Sequence, residues 1–270
     1  MRSTTKLFAR LALALIALAA FAAPALAAAP NNDTFANAKV VALGFGETLD
    51  TTQATTDGDD AQLNQDCGAP TTDASVWYAI DGNGGGVKVD VSASSYSAGV
   101  IVAAGTQGSL TMLACGPSSV AFKADTGTRY YVLAFDDQDD GGGNGGTLKI
   151  QFQQTLVPDV DFTVNRYGSF DSRTGAATLS GSYSCSAGAS FVIFVDAIQK
   201  VGRGSVVGFE VFEGSCDDTI HPWSVVVTPD SGKFAGGQVK VNAYGIAFGD
   251  DLSSDQELAQ TVKLRSAKRK

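Results

Sequence analysis

Apolar and polar residues alternate with a period of two in one short segment after another along this chain. Before residue 155 these segments are "AKVVAL", "SVWYAI", "GVKVDVSA", "GVIVAAG", "SLTMLAC", "SVAFKA", "RYYVLAF" and "GTLKIQF". From residue 160 onwards they are "VDFTVN", "ATLSGSYSC", "SFVIFVDAI", "SVVGFEVFEG", "WSVVVT" and "GQVKVNAYGIAF". A period of two places alternate side chains on one face, as in a strand that buries one side. Clusters of Gly, Asp, Asn and Ser separate the segments, and these are the residues of tight turns. No long segment carries a convincing 3.6-residue period; "DDLSSDQELAQ" fits either a short helix or a polar loop. Many short strands with frequent turns predict an all-β chain of antiparallel sandwiches rather than a helix-connected parallel sheet. In "QQTLVPDVD", Pro158 interrupts one alternating pattern and Val160 starts the next. The predicted division is therefore two β-sandwich domains in tandem, 28–154 and 161–265, with a linker over 155–160 and a basic tail over 266–270.

The opening "MRSTTKLFARLALALIALAAFAAPALAAAP" has the three parts of a secretory signal peptide. Arg2, Lys6 and Arg10 precede an apolar core from Leu11 to Phe21, and Ala25-Leu26-Ala27 is a small-x-small cleavage signal. Residues 1–27 are thus expected to be removed, placing the mature chain in a secreted, extracytoplasmic setting. The apolar run is too short for a membrane span of about 20 residues, so no membrane insertion is expected. Without the leader, 16 Lys and Arg face 28 Asp and Glu, a balance of −12. Such acidity argues against nucleic acid as a partner.

Four cysteines in the mature part suit an oxidising compartment. Cys67 and Cys115 fall in the first half, and Cys185 and Cys216 in the second. Pairing within each half requires no contact between domains, although other connectivities are formally open. None has the C-x-x-C spacing, and a single histidine leaves little for a zinc site, so structural disulfides are the expectation.

Two stretches resemble known families. "NNDTFANAKVV", "ASVWYAID", "GVKVDVSASSYSAGVIVAAG", "SLTMLACGPSSVAFKADTGTRYYVLAFDD" and "GGTLKIQF" occur in the order found in the bacterial pre-peptidase C-terminal (PPC)-like domain. The match covers about Asn31 to Gln154 and implies a jelly-roll-like sandwich of the kind found beside secreted enzymes. That family offers no catalytic residues to carry over. The chain departs from it at "ACGPSS", where Gly116-Pro117 stands in place of a small acidic loop. The second half, through "SGSYSCS", "IQKVGRG", "GSC", "HPW" and "SGKFAGGQVKVNA", is similar to an uncharacterised Ig-like domain of secreted bacterial proteins. The order Cys185, Cys216, Trp223 differs from antibody domains, whose tryptophan lies between the cysteines. A staple on the "SFVIFVDAI"–"FEVFEG" hairpin is expected instead.

Candidate chemistry is sparse. His221 is the lone histidine, and no G-x-S-x-G elbow accompanies it. "DTG" at Asp125 and "DSG" at Asp230 imitate the aspartic-protease signature, but both sit where turns need Asp and Gly. Asp57, Asp59 and Asp60, Asp217 and Asp218, and Asp250 and Asp251 are expected in turns, solvated. Among the strand pairs Trp77-Tyr78 and Tyr130-Tyr131, Trp77 is expected in the core, and Tyr78 and Tyr130 in the core or at its rim, with surface stacking on a sugar as their alternative. The sharpest candidate is "FDDQDDGGGNGG": Asp136, Asp137, Asp139, Asp140 and the Asn144 side chain supply the oxygens calcium takes. It follows neither the EF-hand nor the β-roll order, and the plainer reading is a polar hairpin loop. The sequence thus predicts a non-catalytic protein in a binding or accessory role, with calcium as its one candidate cofactor. The expected partner is a polysaccharide, a cell-wall component or a protein. A secreted glycan hydrolase with spatially assembled carboxylates, or a structural or adhesion protein, are the competing readings.

Overall fold

The computed structural model describes residues 28–69 and 73–267. The leader assigned to 1–27 and the last three residues of the tail lie outside the described residues. The architecture is all-β, with antiparallel sheets throughout and two parallel contacts, β1 with β3 and β11 with β17. In the first half, β1 (Lys39–Val41), β3 (Asp73–Asp81), β8 (Arg129–Asp136), β5 (Ala98–Thr106) and β6 (Ser109–Pro117) form a five-stranded sheet in that order. Facing it are β2 (Gly46–Asp50), β9 (Thr147–Thr155), β4 (Gly86–Asp90) and β7 (Ser119–Lys123). Strand β9 shows the simple case: Leu148, Ile150 and Phe152 point into the core and their neighbours into solvent. Val87, Val89, Tyr78 and Val132 meet them from the other strands.

The central strands of the five-stranded sheet, β3, β8 and β5, are buried on both faces, which alternation alone does not announce. Its outer face is covered by a 3₁₀ turn at Phe35–Asn37 and a helix, α1 (Gly58–Cys67). Phe35, Leu63, Ile101, Leu133 and Phe135 surround Trp77 there, while Tyr78 enters the core on the opposite face. The helix is an addition to the expected fold, and it also moves two aspartates out of the solvent predicted for them. Asp57 is its N-cap, accepting from the amides of Asp59 and Asp60, and Asp60 returns a bond to the Asp57 amide. This is a reciprocal capping box. Asp59 reaches the Gly108 amide (2.7 Å) and so ties the helix to the β5–β6 turn. Gly68 ends it in the left-handed region, φ 68°, a conformation open to glycine.

The second half is one eight-stranded sheet folded over on its own core. Its path runs β10 (Val160–Val164), β12 (Ala177–Cys185), β11 (Tyr167–Phe170), β17 (Ser253–Ser266), β16 (Gly237–Phe248), β13 (Ser190–Val201) and β14 (Gly204–Ser215). Strand β15 (His221–Val227) pairs with β12. Gly208 of β14 bridges to Pro229 just beyond β15, so the two ends of the sheet approach each other. Inside lie Phe162, Leu179, Ile193, Val195, Trp223 and Val241, among others. Trp223 donates to the Thr163 carbonyl (3.0 Å) directly over Gly181, where a Cβ would sit 1.8 Å from that carbonyl oxygen. The "DDLSSDQELAQ" segment, expected as helix or loop, is strand β17, paired with β16 from Ser253 onwards. Strand β17 runs to Ser266, the first residue of the segment read as a tail, and Arg265 lies over the Tyr167 ring at 4.3 Å.

Both disulfides fall within their own halves, Cys67–Cys115 and Cys185–Cys216. The second joins the end of β12 to the residue after β14, closing the open end of the β13–β14 hairpin beside the Ser190–Ser215 pair. Between the halves, Asp251 takes Lys88 Nζ (2.6 Å) and the Thr155 hydroxyl (2.8 Å), so it bridges rather than standing free in a turn.

Candidate functional site

The five candidate calcium residues occupy the β8–β9 connection, where three of the four carboxylates, those of Asp136, Asp137 and Asp140, are turned onto backbone amides. Asp136, at the end of β8 and buried, accepts from the amides of Gln138 (2.9 Å) and Gly145 (3.0 Å). Asp137 accepts from the Asp139 amide (3.0 Å), and Asp140 from those of Gly142 (3.1 Å) and Ser97 (3.3 Å). Asn144 contributes its backbone, donating to Asp73 Oδ2 (2.8 Å) from a left-handed conformation, φ 91°. Each of these carboxylates thus holds the shape of the loop, as side chains do in Asx turns. Among the described residues, no group of three or more His, Cys, Asp or Glu side chains is gathered to hold a metal ion.

The other sequence candidates separate in space. Asp125 lies in the turn between β7 and β8, and Asp230 in the turn between β15 and β16, beside different cores. His221 meets Asp217 Oδ1 and the Thr219 hydroxyl, each at 2.8 Å, and both partners share one ring nitrogen, Nε2. A relay histidine instead presents one nitrogen to its acid and the other to its nucleophile. The Thr219 hydroxyl, His221 and the Thr219 amide together hold the Asp217 carboxyl down to about 2. Tyr78 and Tyr130, candidates for surface stacking, are both buried, because α1 and the second sheet between them leave β3 and β8 no open face.

One titrating group lies in the first turn of α1, the helix that the strand pattern of the sequence does not predict. Burial pushes Asp60 up to about 6, against the Ser75 hydroxyl and the Asp57 amide, which both pull it down. Its second oxygen is buried without a partner, and the Trp77 indole N–H turns towards this carboxylate without reaching hydrogen-bonding geometry. A carboxyl raised in the folded state binds its proton more tightly there than in the unfolded chain. Its contribution therefore favours folding at acid pH and is lost as pH rises from about 4 through 6. Asp60→Asn is expected to abolish this slope. Denaturation midpoints from pH 7.5 to 4 should show wild type gaining up to about 3 kcal/mol on the variant; parallel curves would refute it.

The most unusual surface is one the sequence did not single out. On the outward side of β14, β13, β16 and β17, side chains stand in cross-strand rows fixed by the pairing. One row reads Val211, Phe194, Tyr244 and Glu257; the next reads Phe209, Asp196, Asn242 and Ala259; the next Val207, Ile198, Lys240 and Thr261. Phe194 lies near-parallel to Phe209 (22°, centroids 6.2 Å apart) and to Tyr244 (20°, 6.3 Å). Phe209 is 48% and Phe248 43% exposed, with Val207, Val211 and Ile198 also open to solvent. Two shallow grooves flank the rings. One, about 440 Å³, is lined by Asp196, Asn242, Tyr244 and Glu257; the other, about 610 Å³, by Ile198, Lys200, Gln238 and Lys240. A contiguous apolar field rimmed by charge marks an interaction surface, whereas single exposed apolar residues need no explanation.

No family model matches the chain, and no curated protein matches it. Among solved structures it is similar to beta-glucuronidase 3 of Bacteroides uniformis, at 12% identity and a TM-score of 0.27, over 74% of this chain and 28% of that one. It is also similar to a GH2 beta-galacturonidase from Eisenbergiella tayi (13%, TM-score 0.22, 69% and 35%). A third is the beta-glucuronidase of Parabacteroides merdae (14%, TM-score 0.26, 71% and 28%). This chain spans about a third or less of the length of each of these proteins.

Proposed function

We propose that this is a non-catalytic binding protein of the extracytoplasmic space, acting through the outward face of β14, β13, β16 and β17. The observation that carries this is the contiguous field around Phe194, Phe209 and Tyr244 on an exposed sheet. Aromatic and aliphatic side chains around a single central carboxylate, Asp196, with further charge at the rim, suit a protein–protein interface, so a protein surface is the favoured ligand. The two disulfides suit an oxidising compartment. The first half's resemblance to PPC-like domains supports an accessory role beside other secreted proteins. A polysaccharide is the second reading, favoured by the groove in which Tyr244, Asp196, Asn242 and Glu257 offer one ring and several hydrogen-bonding groups. The test is capture by the mature chain on arrays of secreted proteins, glycans and cell-wall fragments, beside Phe209→Asp. Loss of a wild-type ligand in the variant is the expected result; equal capture by both would remove the face from the account.

A further inference from the structure

The charges around the apolar field are segregated along the strands. Taking β13 from Ser190 upward, Glu213, Asp255 and Glu257 stand in the lower rows of the outward face, level with Val192 and Phe194. Lys240, Lys200 and Lys263 stand in the upper rows, level with Ile198 and Lys200 itself. Between them Phe194, Phe209, Val207, Val211 and Ile198 supply apolar ground, interrupted at its centre by Asp196 and Asn242. In the pairing register, the row of Asp196 and Asn242 lies midway between the two ends.

We infer that a second copy of this chain closes this face, packed sheet to sheet about a two-fold axis that lies along the Asp196–Asn242 row and crosses the strands. This rests on reading the face as the working surface, and it names the occupant. Rotation about that axis inverts the order of rows while keeping the order of strands. The row of Lys263 and Lys200 then falls on the row of Asp255 and Glu213, and the row of Lys240 on that of Glu257. Lys263 comes over Asp255 of the other copy on the same strand. Lys240 and Lys200 come within one strand spacing of Glu257 and Glu213. An axis along the strands would instead lay the lysine-bearing rows on lysine-bearing rows and the acidic rows on acidic rows, so the charge pattern favours the axis that crosses the strands. Asn242 of each copy sits beside the Asp196 pair at the axis with an amide to donate. Face-to-face sheets turned by about 30° accommodate the twist of both, and such self-complementarity is what a two-fold interface requires. Four strands about 4.8 Å apart over ten residues give a face of roughly 20 by 35 Å, close to the ~800 Å² that each partner contributes to a standard interface.

The experiment is sedimentation velocity on the secreted chain from 1 to 100 µM. A dimer is expected for wild type. Phe209→Asp is expected to raise its dissociation constant roughly 100-fold, the scale of an interface hot spot. A chain with Lys240→Glu and Lys263→Glu, and another with Asp255→Lys and Glu257→Lys, are each expected to be monomeric and to pair when mixed. That rescue cannot come from misfolding of either chain. Wild type monomeric at 100 µM, or a dimer indifferent to these changes, overturns the inference. If wild type is monomeric yet Phe209→Asp loses an array ligand, the binding face stands and only the second copy falls. A dimer that breaks as expected supports the inference, even where the arrays yield no external ligand.

Discussion

Replacing Trp77 by alanine is expected to remove about 3–5 kcal/mol of stability, the cost of deleting a large aromatic from a closed core. Trp77 is wholly buried at the middle of β3, with Phe35 edge-on at 5.1 Å and Leu63, Ile101, Leu133 and Phe135 around it. Its backbone is held as well: the Trp77 amide donates to the Asn32 carbonyl (2.8 Å), and the Asn32 side chain donates to the Trp77 carbonyl (2.9 Å). The cavity cannot close by collapse, because the sheet is fixed behind it and α1 is tethered in front. A fall in melting temperature of roughly 10–20 °C follows for a unit of this size. The chain has two tryptophans, one in each half, so the variant retains only Trp223 as its emission signal. Far-ultraviolet circular dichroism should therefore report the early loss of the first half, while Trp223 emission holds its original midpoint. Trp77→Phe, which keeps most of the apolar volume, should recover more than half of the loss. A Trp77→Ala protein within about 1 kcal/mol of wild type would mean that the outer layer contributes little to the fold.

The sequence reveals strands where one face is apolar and the other polar, as in β9, and turns where Gly and Asp cluster. It is silent where that contrast fails. Strand β17 points Ser254, Gln256 and Gln260 inward with only Leu258 among them, so no sustained apolar alternation shows until Val262 and Leu264; Gln256 settles its polarity by accepting from the Phe162 amide and donating to Asp161. Helix α1 buries a single large apolar side chain, Leu63, and so has no stripe to detect. Its signal is the cap: Asp57 three residues before Asp60, with Gly68 eleven residues after Asp57. The outward field escaped for the opposite reason. In "FVIFVDAI" and "VVGFEVF" the inward and outward sets are both mainly apolar, Asp196 and Glu210 apart, and only the strand order shows that no other described strand covers the outer set. The opening "NNDTF" is now physical: Asn32 clamps Trp77, Asp33 holds the Thr55 amide and hydroxyl, and Phe35 packs on the indole.

Removing the Cys67–Cys115 bridge is the second large effect, expected to cost about 4 kcal/mol for a closed loop of 48 residues. Cys185–Cys216 spans 31 residues, and the logarithmic dependence on loop length makes its cost similar, about 3.5 kcal/mol. What separates the two is where the loss appears. Cys185 and Cys216 join elements already paired into a large sheet. Cys67 is the last residue of a ten-residue helix, too short to persist alone in water, held to the body by Leu63, the Asp59–Gly108 and Ser75–Asp60 bonds near its start and, at its end, the disulfide to β6. Cys67→Ser with Cys115→Ser should therefore release α1 before the sandwich unfolds, and uncover the Trp77 and Phe135 side of the five-stranded sheet. Hydrogen exchange should rise by orders of magnitude across 58–67 while β4 and β9 stay protected, and an apolar dye should bind the variant under native conditions. Lowering the pH towards 5 should not rescue the helix, since protonating Asp60 eases its burial but restores no tether. Uniform exchange across both sheets, with no earlier opening at α1, would show the disulfide acting on global stability alone. Early opening would make the helix a lid whose closure depends on an oxidising compartment, and would tie the folding of the first half to where the protein is delivered.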